Sequence, residues 1–138
     1  MGQCIIKFKA KRLGDGKWVE GYYVKKVAHN VVSKYDVVED GEEHFIFGMA
    51  KDDVQPYWYE VDPTTVCQFT GLKDEDENDI FEGDLLAEKR FPMYEVGYVN
   101  SEFAASYIGE NTFIFKLPAL SKGCVVCGSI YDRKEGEK

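Results

Sequence analysis

Residues 5–12, IIKFKAKR, alternate apolar and basic side chains with a period of two. After LGDGK (13–17), residues 18–32, WVEGYYVKKVAHNVV, resume an extended, aromatic and β-branched pattern. Successive side chains of a strand point to opposite faces, so this alternation suits a sheet and not a helix. Asp15-Gly16 supplies the backbone freedom that a tight turn needs. The two runs are expected to form a hairpin. No stretch of the chain carries an apolar stripe at helical spacing.

The remaining segments read the same way. EDGEE (39–43) is expected to turn ahead of the apolar HFIFGM. Pro56 and Pro63 disfavour helix through 51–66, which leaves YWYEV as a short strand and DPTTV as a turn. Lys73 to Asp79 reads as a solvated turn between a strand ending at Phe69 and one beginning near Ile80. DLLAEK and EVGYVNSEF follow as strands. Gly-Glu-Asn (109–111) is expected to close a hairpin, and GCVVCGSIYD is the last strand. Pro63–Val66 and Glu102–Tyr107 are candidates for a turn of helix. The expected fold is mainly β, with one or two short helices at most, built as a small barrel-like or strongly curved antiparallel sheet. At 138 residues the chain is expected to form one domain over 1–132, followed by a charged mobile tail at 133–138.

Acidic residues exceed basic ones, 25 to 17, for a formal charge of −8. Duplex-binding proteins collect Lys and Arg to displace phosphate counterions, so nucleic acid is disfavoured as a partner. The densest basic cluster, Lys7, Lys9, Lys11 and Arg12, with Lys25 and Lys26, fits solvated strand positions. No apolar run approaches the roughly 20 residues a bilayer span needs. MGQCII has Ile6 where an N-myristoylation motif wants Ser or Thr. A soluble, cytoplasmic protein is expected.

Residues 67–86, CQFTGLKDEDENDIFEGDLL, hold seven acidic side chains. Asp74, Asp76 and Asn78 sit where a calcium loop puts its first oxygen ligands. Asp79 then replaces the glycine at position six, and Leu85 the bidentate glutamate at position twelve. A dedicated calcium site is not expected. Gly71 and Gly83 read as turn glycines, and Asp84 as a side chain that bonds nearby main-chain N–H groups.

The longer run EVDPTTVCQFTGLKDEDENDIFEGDLL resembles the signature of the YopX family of phage and prophage proteins. The matching positions include Asp62 and Pro63, then Gln68, Thr70, Gly71, Leu72, Lys73 and Asp74, and finally Ile80, Phe81, Glu82, Gly83 and Asp84. GKWVEGYYV (16–24) is similar to the family's opening segment and VVCGSIYD (125–132) to its closing one. The polar turn Asp-Glu-Asn-Asp, Cys127, Ser129 and the ending RKEGEK depart from the pattern. The resemblance implies a β-rich fold with a barrel-like core and a phage origin. It carries over no catalytic residue, metal ligand or cofactor, and none is expected.

Cys124 and Cys127 form a CxxC, but in a strand residues three apart face opposite ways, and Cys4, Cys67, His29 and His44 offer no second close pair. Both cysteines read as buried apolar residues. His29 and His44 are the only histidines, and none of Ser33, Ser101, Ser106, Ser121 and Ser129 sits in a nucleophile elbow. Tyr57, Trp58 and Tyr59 form an aromatic cluster in which Trp58 faces away from the two tyrosines, a candidate binding surface. The function expected is a non-enzymatic phage accessory protein that binds a protein or itself. A nucleic-acid-binding small barrel and an enzyme of unrecognised type are the alternatives.

Overall fold

Gly16, at φ 72°, closes the expected first hairpin between β1 (Phe8–Lys11) and β2 (Trp18–Asn30). The Arg12 N–H donates to the Lys17 carbonyl at 2.9 Å, and the Arg12 guanidinium meets Asp15 at 3.1 Å. The computed structural model describes residues 5–30, 39–49, 56–88, 91–109 and 114–132. The expectations for the first four residues, the His29 side chain, Ser33, residues 110–111 and the tail at 133–138 lie outside the described residues.

The chain divides into two compact units, residues 7–66 and residues 67–138 with 1–6. In the first, β3 (Glu39–Met49) pairs antiparallel with β2, and β4 (Pro56–Glu60) pairs with β3. Strands β4, β3, β2 and β1 lie side by side in that order. Residues 39–43 belong to β3 and are not the expected turn, because Gly41 pairs with Ala28 and Glu43 with Lys26. Ladder pairing outweighs their turn-like composition. One face carries Ala10, Ile46 and Val61 into a core cluster, with Phe8, Val19 and Tyr23 packed around it. Asp62 caps the expected turn at Pro63–Thr65, accepting from the Thr64 N–H at 3.0 Å, and Pro63 fills its first position. Thr65 ties this turn to β1, accepting from the Lys11 N–H at 2.9 Å.

The second unit begins with a hairpin of β5 (Cys67–Lys73) and β6 (Asp79–Phe81). β5 runs to Lys73, past the Phe69 end expected for it. A register shift between Phe69 and Lys73, with Gly71 at φ 87°, lets the strand continue. The Thr70 hydroxyl donates to the Ile80 carbonyl at 2.7 Å and accepts from the Leu72 N–H at 3.2 Å. Lys73 then pairs with Asp79 at 3.4 Å across the turn.

A five-stranded antiparallel sheet completes this unit, in the order β10 (Ile114–Lys116), β9 (Glu102–Tyr107), β8 (Phe91–Val99), β7 (Asp84–Glu88), β11 (Val125–Ser129). Glu102–Tyr107 is a strand and not a turn of helix, since each residue pairs with β8 from Val99 to Tyr94. Asn100 and Ser101, both at positive φ, make the two-residue turn between them. The one α-helical turn among the described residues, α1 (Leu117–Leu120), falls where extended chain was expected and begins with Pro118 in its first turn. Ile80, Leu86, Tyr94, Val96, Ala105, Leu117 and Cys124 form the core. The mainly β, antiparallel expectation holds. Among the described residues each unit has an open strand order, so the barrel-like part of the expectation finds no support.

Candidate functional site

The strand registers of the first unit place Tyr22, Phe47 and Trp58 in one cross-strand row, with Val24 and Phe45 beside it. These lie on the face opposite the Ile46 core. Trp58 stacks on Phe45 at 5.1 Å and meets Phe47 edge-on at 5.2 Å. Tyr22 is 63% exposed and Trp58 52%, so a large aromatic surface stands in solvent. Trp18 extends the same face, with the Lys9 ammonium 4.6 Å from its ring centre.

Of the three aromatics expected to bind, only Trp58 belongs to this surface. Tyr57 turns the other way. It pairs with Gly48, where an added Cβ would meet its ring at 2.6 Å, and its hydroxyl donates to the Glu20 carbonyl. Tyr59 is half-buried under the Arg12 guanidinium, 4.1 Å from its ring centre. Sequence reasoning missed Tyr22, Phe45 and Phe47. Their alternation was visible, but the register that aligns them was not.

The second unit carries a cavity of about 410 Å³ on the face of β8 and β9 opposite the core. Its floor is low because Gly97 pairs with Ala104. Glu95, Val99 and Ile114 rise around that floor, and Ile130 and Tyr131 flank it. Glu82 and Gly83 bring the acidic segment to its rim. The Gly83 N–H donates to the Val96 carbonyl at 2.7 Å, and its carbonyl accepts from Ile130 at 2.9 Å. Burial, then Cys67 and Glu82, push the Tyr131 phenol above its ordinary pKa. Gln68 lines an adjoining cavity of about 480 Å³, together with Glu82 and Tyr98. Gly83 sits at φ 83°, and an added Cβ would stand 2.9 Å from the Tyr131 ring. Gly83→Ala is expected to cost about 2 kcal/mol, read as a lower urea midpoint.

The rest of the acidic stretch is structural. Asp74 is 4% exposed. Its carboxylate accepts from the N–H groups of Asp76 at 2.8 Å, Asn78 at 2.9 Å and Val126 at 2.8 Å. Asp84 is buried and accepts from the Phe81 N–H at 2.7 Å. Leu72, Ile80 and Phe81 are core or core-flanking residues. Both aspartates are therefore engaged by main-chain donors and not arranged for a cation.

Cys124 is buried in the core, whereas Cys127 is exposed and donates to the Leu85 carbonyl at 3.4 Å, which corrects the expectation that both are buried. A register shift after Val126 turns the strand at that point. Burial raises the Cys124 thiol pKa, and partial desolvation with the nearby Asp84 charge raises that of Cys127, which opposes the thiolate that a metal or nucleophile role needs. His44 hydrogen-bonds the Tyr23 hydroxyl and lies 3.6 Å from Glu42, which Lys25 holds at 3.1 Å. The Ser121 hydroxyl donates to the Pro118 carbonyl, and that of Ser129 accepts from Tyr131. Among the described residues no three of His, Cys, Asp and Glu converge as metal ligands, and no helix is long and apolar enough to cross a membrane.

No curated protein matches the chain in sequence. Among solved structures it is similar to protein EF1440 from Enterococcus faecalis, at 20% identity and a TM-score of 0.50, over 96% of this chain and 98% of that one. This likeness concerns the fold. The family model for YopX protein matches residues 7–135, a span that takes in both units and every signature position from Asp62 to Asp84. On that match, the chain belongs to the YopX family.

Proposed function

We propose that the chain is a non-enzymatic accessory protein of a phage or prophage that docks protein on the aromatic face of its first unit, its occupant being a second copy. The exposed row of Tyr22, Phe47 and Trp58 carries this reading. Large rings in solvent are costly unless another surface covers them, and Tyr and Trp dominate the energetics of covered surfaces. Self-pairing is favoured because the same face presents both signs of charge. Lys9, Lys11 and Lys26 share the outward parity of Glu20 and Glu60. Two copies related by a two-fold axis then set acid against base around an apolar centre. The phage setting rests on family membership.

Sedimentation velocity over a concentration series tests the reading. A reversible dimer is expected, weakened about thirtyfold by Trp58→Ala, as befits an aromatic anchor. Tyr22→Ser should weaken it in the same direction. A monomer at every concentration defeats self-pairing. Saturable quenching of tryptophan fluorescence by a single-stranded oligonucleotide, absent in the Trp58 variant, would assign the face to base stacking instead.

A further inference from the structure

We infer that the cavity of the second unit takes an organic cation, an ammonium or guanidinium carried on an apolar stem. The inference is independent of the aromatic face, since every residue it uses lies within 67–138. The lining divides by chemistry. Glu82 and Glu95 contribute carboxylates, Tyr131 contributes a ring, and Ile114 and Ile130 contribute apolar wall. Among the described residues no Lys, Arg or His lines it. An anion would meet the like charge of Glu82 and Glu95 there. A wholly apolar guest would strip water from two carboxylates without replacing it. A cation with a hydrocarbon stem satisfies both parts, the charge by the carboxylates and the Tyr131 ring and the stem by the isoleucines. About 410 Å³ lies within the range of small-ligand sites. Tyr131 stays protonated well past neutral pH because its phenol is pushed up, so it adds a hydrogen-bonding group and no charge.

The cation has two sources, a free amine or a basic side chain of a peptide, and the test separates them. The full chain is titrated at low salt with agmatine, hexylamine, hexanol, hexanoate and the blocked peptide acetyl-Gly-Arg-Gly-amide, by calorimetry and NMR shift changes. Saturable one-to-one binding of agmatine or hexylamine supports a free amine. Binding of the peptide alone supports a side chain. In either case Glu82→Gln and Glu95→Gln should each weaken binding about tenfold. Gly97→Val should abolish it while leaving the fold intact, because a Cβ there meets nothing within 4 Å and valine suits a strand. Hexanol binding as well as hexylamine would overturn the proposal. So would no saturable binding of any cationic probe, or binding that Gly97→Val leaves unchanged.

Discussion

Asp74→Ala is expected to lower the free energy of unfolding by about 4 kcal/mol, a large share of what a small protein possesses. The carboxylate receives three main-chain N–H bonds, from Asp76, Asn78 and Val126. A bond to a charged acceptor contributes roughly 1.5–3 kcal/mol, and these three act together, so their sum is an upper bound. Alanine would leave the half-buried Val126 donor with no replacement and cut the anchor that shapes the exposed turn at Asp76 and Asn78. The Val126 bond joins residues 52 apart in sequence, so its loss also frees the closing strand β11 from the acidic turn. Asp74→Asn should cost less than alanine, because its carbonyl oxygen still accepts on one side. Urea denaturation of the three proteins checks the order wild type, then asparagine, then alanine.

The same carboxylate makes a pH prediction. Burial pushes its pKa up, but the N–H groups of Val126, Asn78 and Asp76 outweigh that, and the native value lies below the ordinary one. A group depressed in the folded state stabilises it fully above its unfolded pKa, near 4. That contribution is lost as pH falls from there through the native value. The gap in unfolding free energy between wild type and Asp74→Asn should therefore be constant from pH 8 to about pH 5 and shrink below about pH 4. A gap that persists undiminished at pH 2 would show that the negative charge contributes nothing.

Local chemistry explains what the sequence discloses. The Asp15-Gly16 turn, the Pro63 cap and the Asp84 turn were legible because each depends on residues within a few positions of one another. Glu102–Tyr107 misled because Glu-Phe-Ala-Ala suits a helix locally, and only its pairing with β8 makes it a strand. Residues 39–43 misled for the mirror reason, a turn-like composition drawn into the ladder of β2. The sites divide similarly. Trp58 could be placed opposite Tyr57 and Tyr59 by parity alone. Tyr22 and Phe47 joined it only once two registers were known. The acidic cavity was least legible, because Glu82 and Glu95 meet through the Gly83–Val96 hydrogen bond. Most polar signature residues have main-chain partners, so the signature largely encodes turns. Glu82 and Gln68 are the positions whose side chains line cavities.

Gly21→Ala is the second large effect expected, at about 4 kcal/mol, and it tests the long hairpin on which the aromatic face is built. Gly21 lies in β2 opposite Phe8 of β1, on the side of the sheet that faces the Ile46 core. A Cβ there would stand 2.3 Å from the Phe47 carbonyl oxygen, 2.9 Å from its carbonyl carbon and 3.1 Å from Ile46 Cγ2. The first two are backbone atoms, so no rotamer change relieves the contact. The strands must move apart by about 1 Å, against a normal spacing of about 4.8 Å. Overpacking of this kind costs about 1–3 kcal/mol, and the ladder hydrogen bonds stretched beside it add about 1 kcal/mol each. Because Tyr22 is the next residue and pairs with Phe47 itself, the same displacement should break the Tyr22–Phe47–Trp58 row. The variant should lose self-association along with stability. Gly14→Ala supplies the control, since a Cβ there meets nothing within 4 Å and alanine narrows the unfolded ensemble. If Gly21→Ala proves as stable as Gly14→Ala in urea, the close approach of β2 to β3 at this point is wrong.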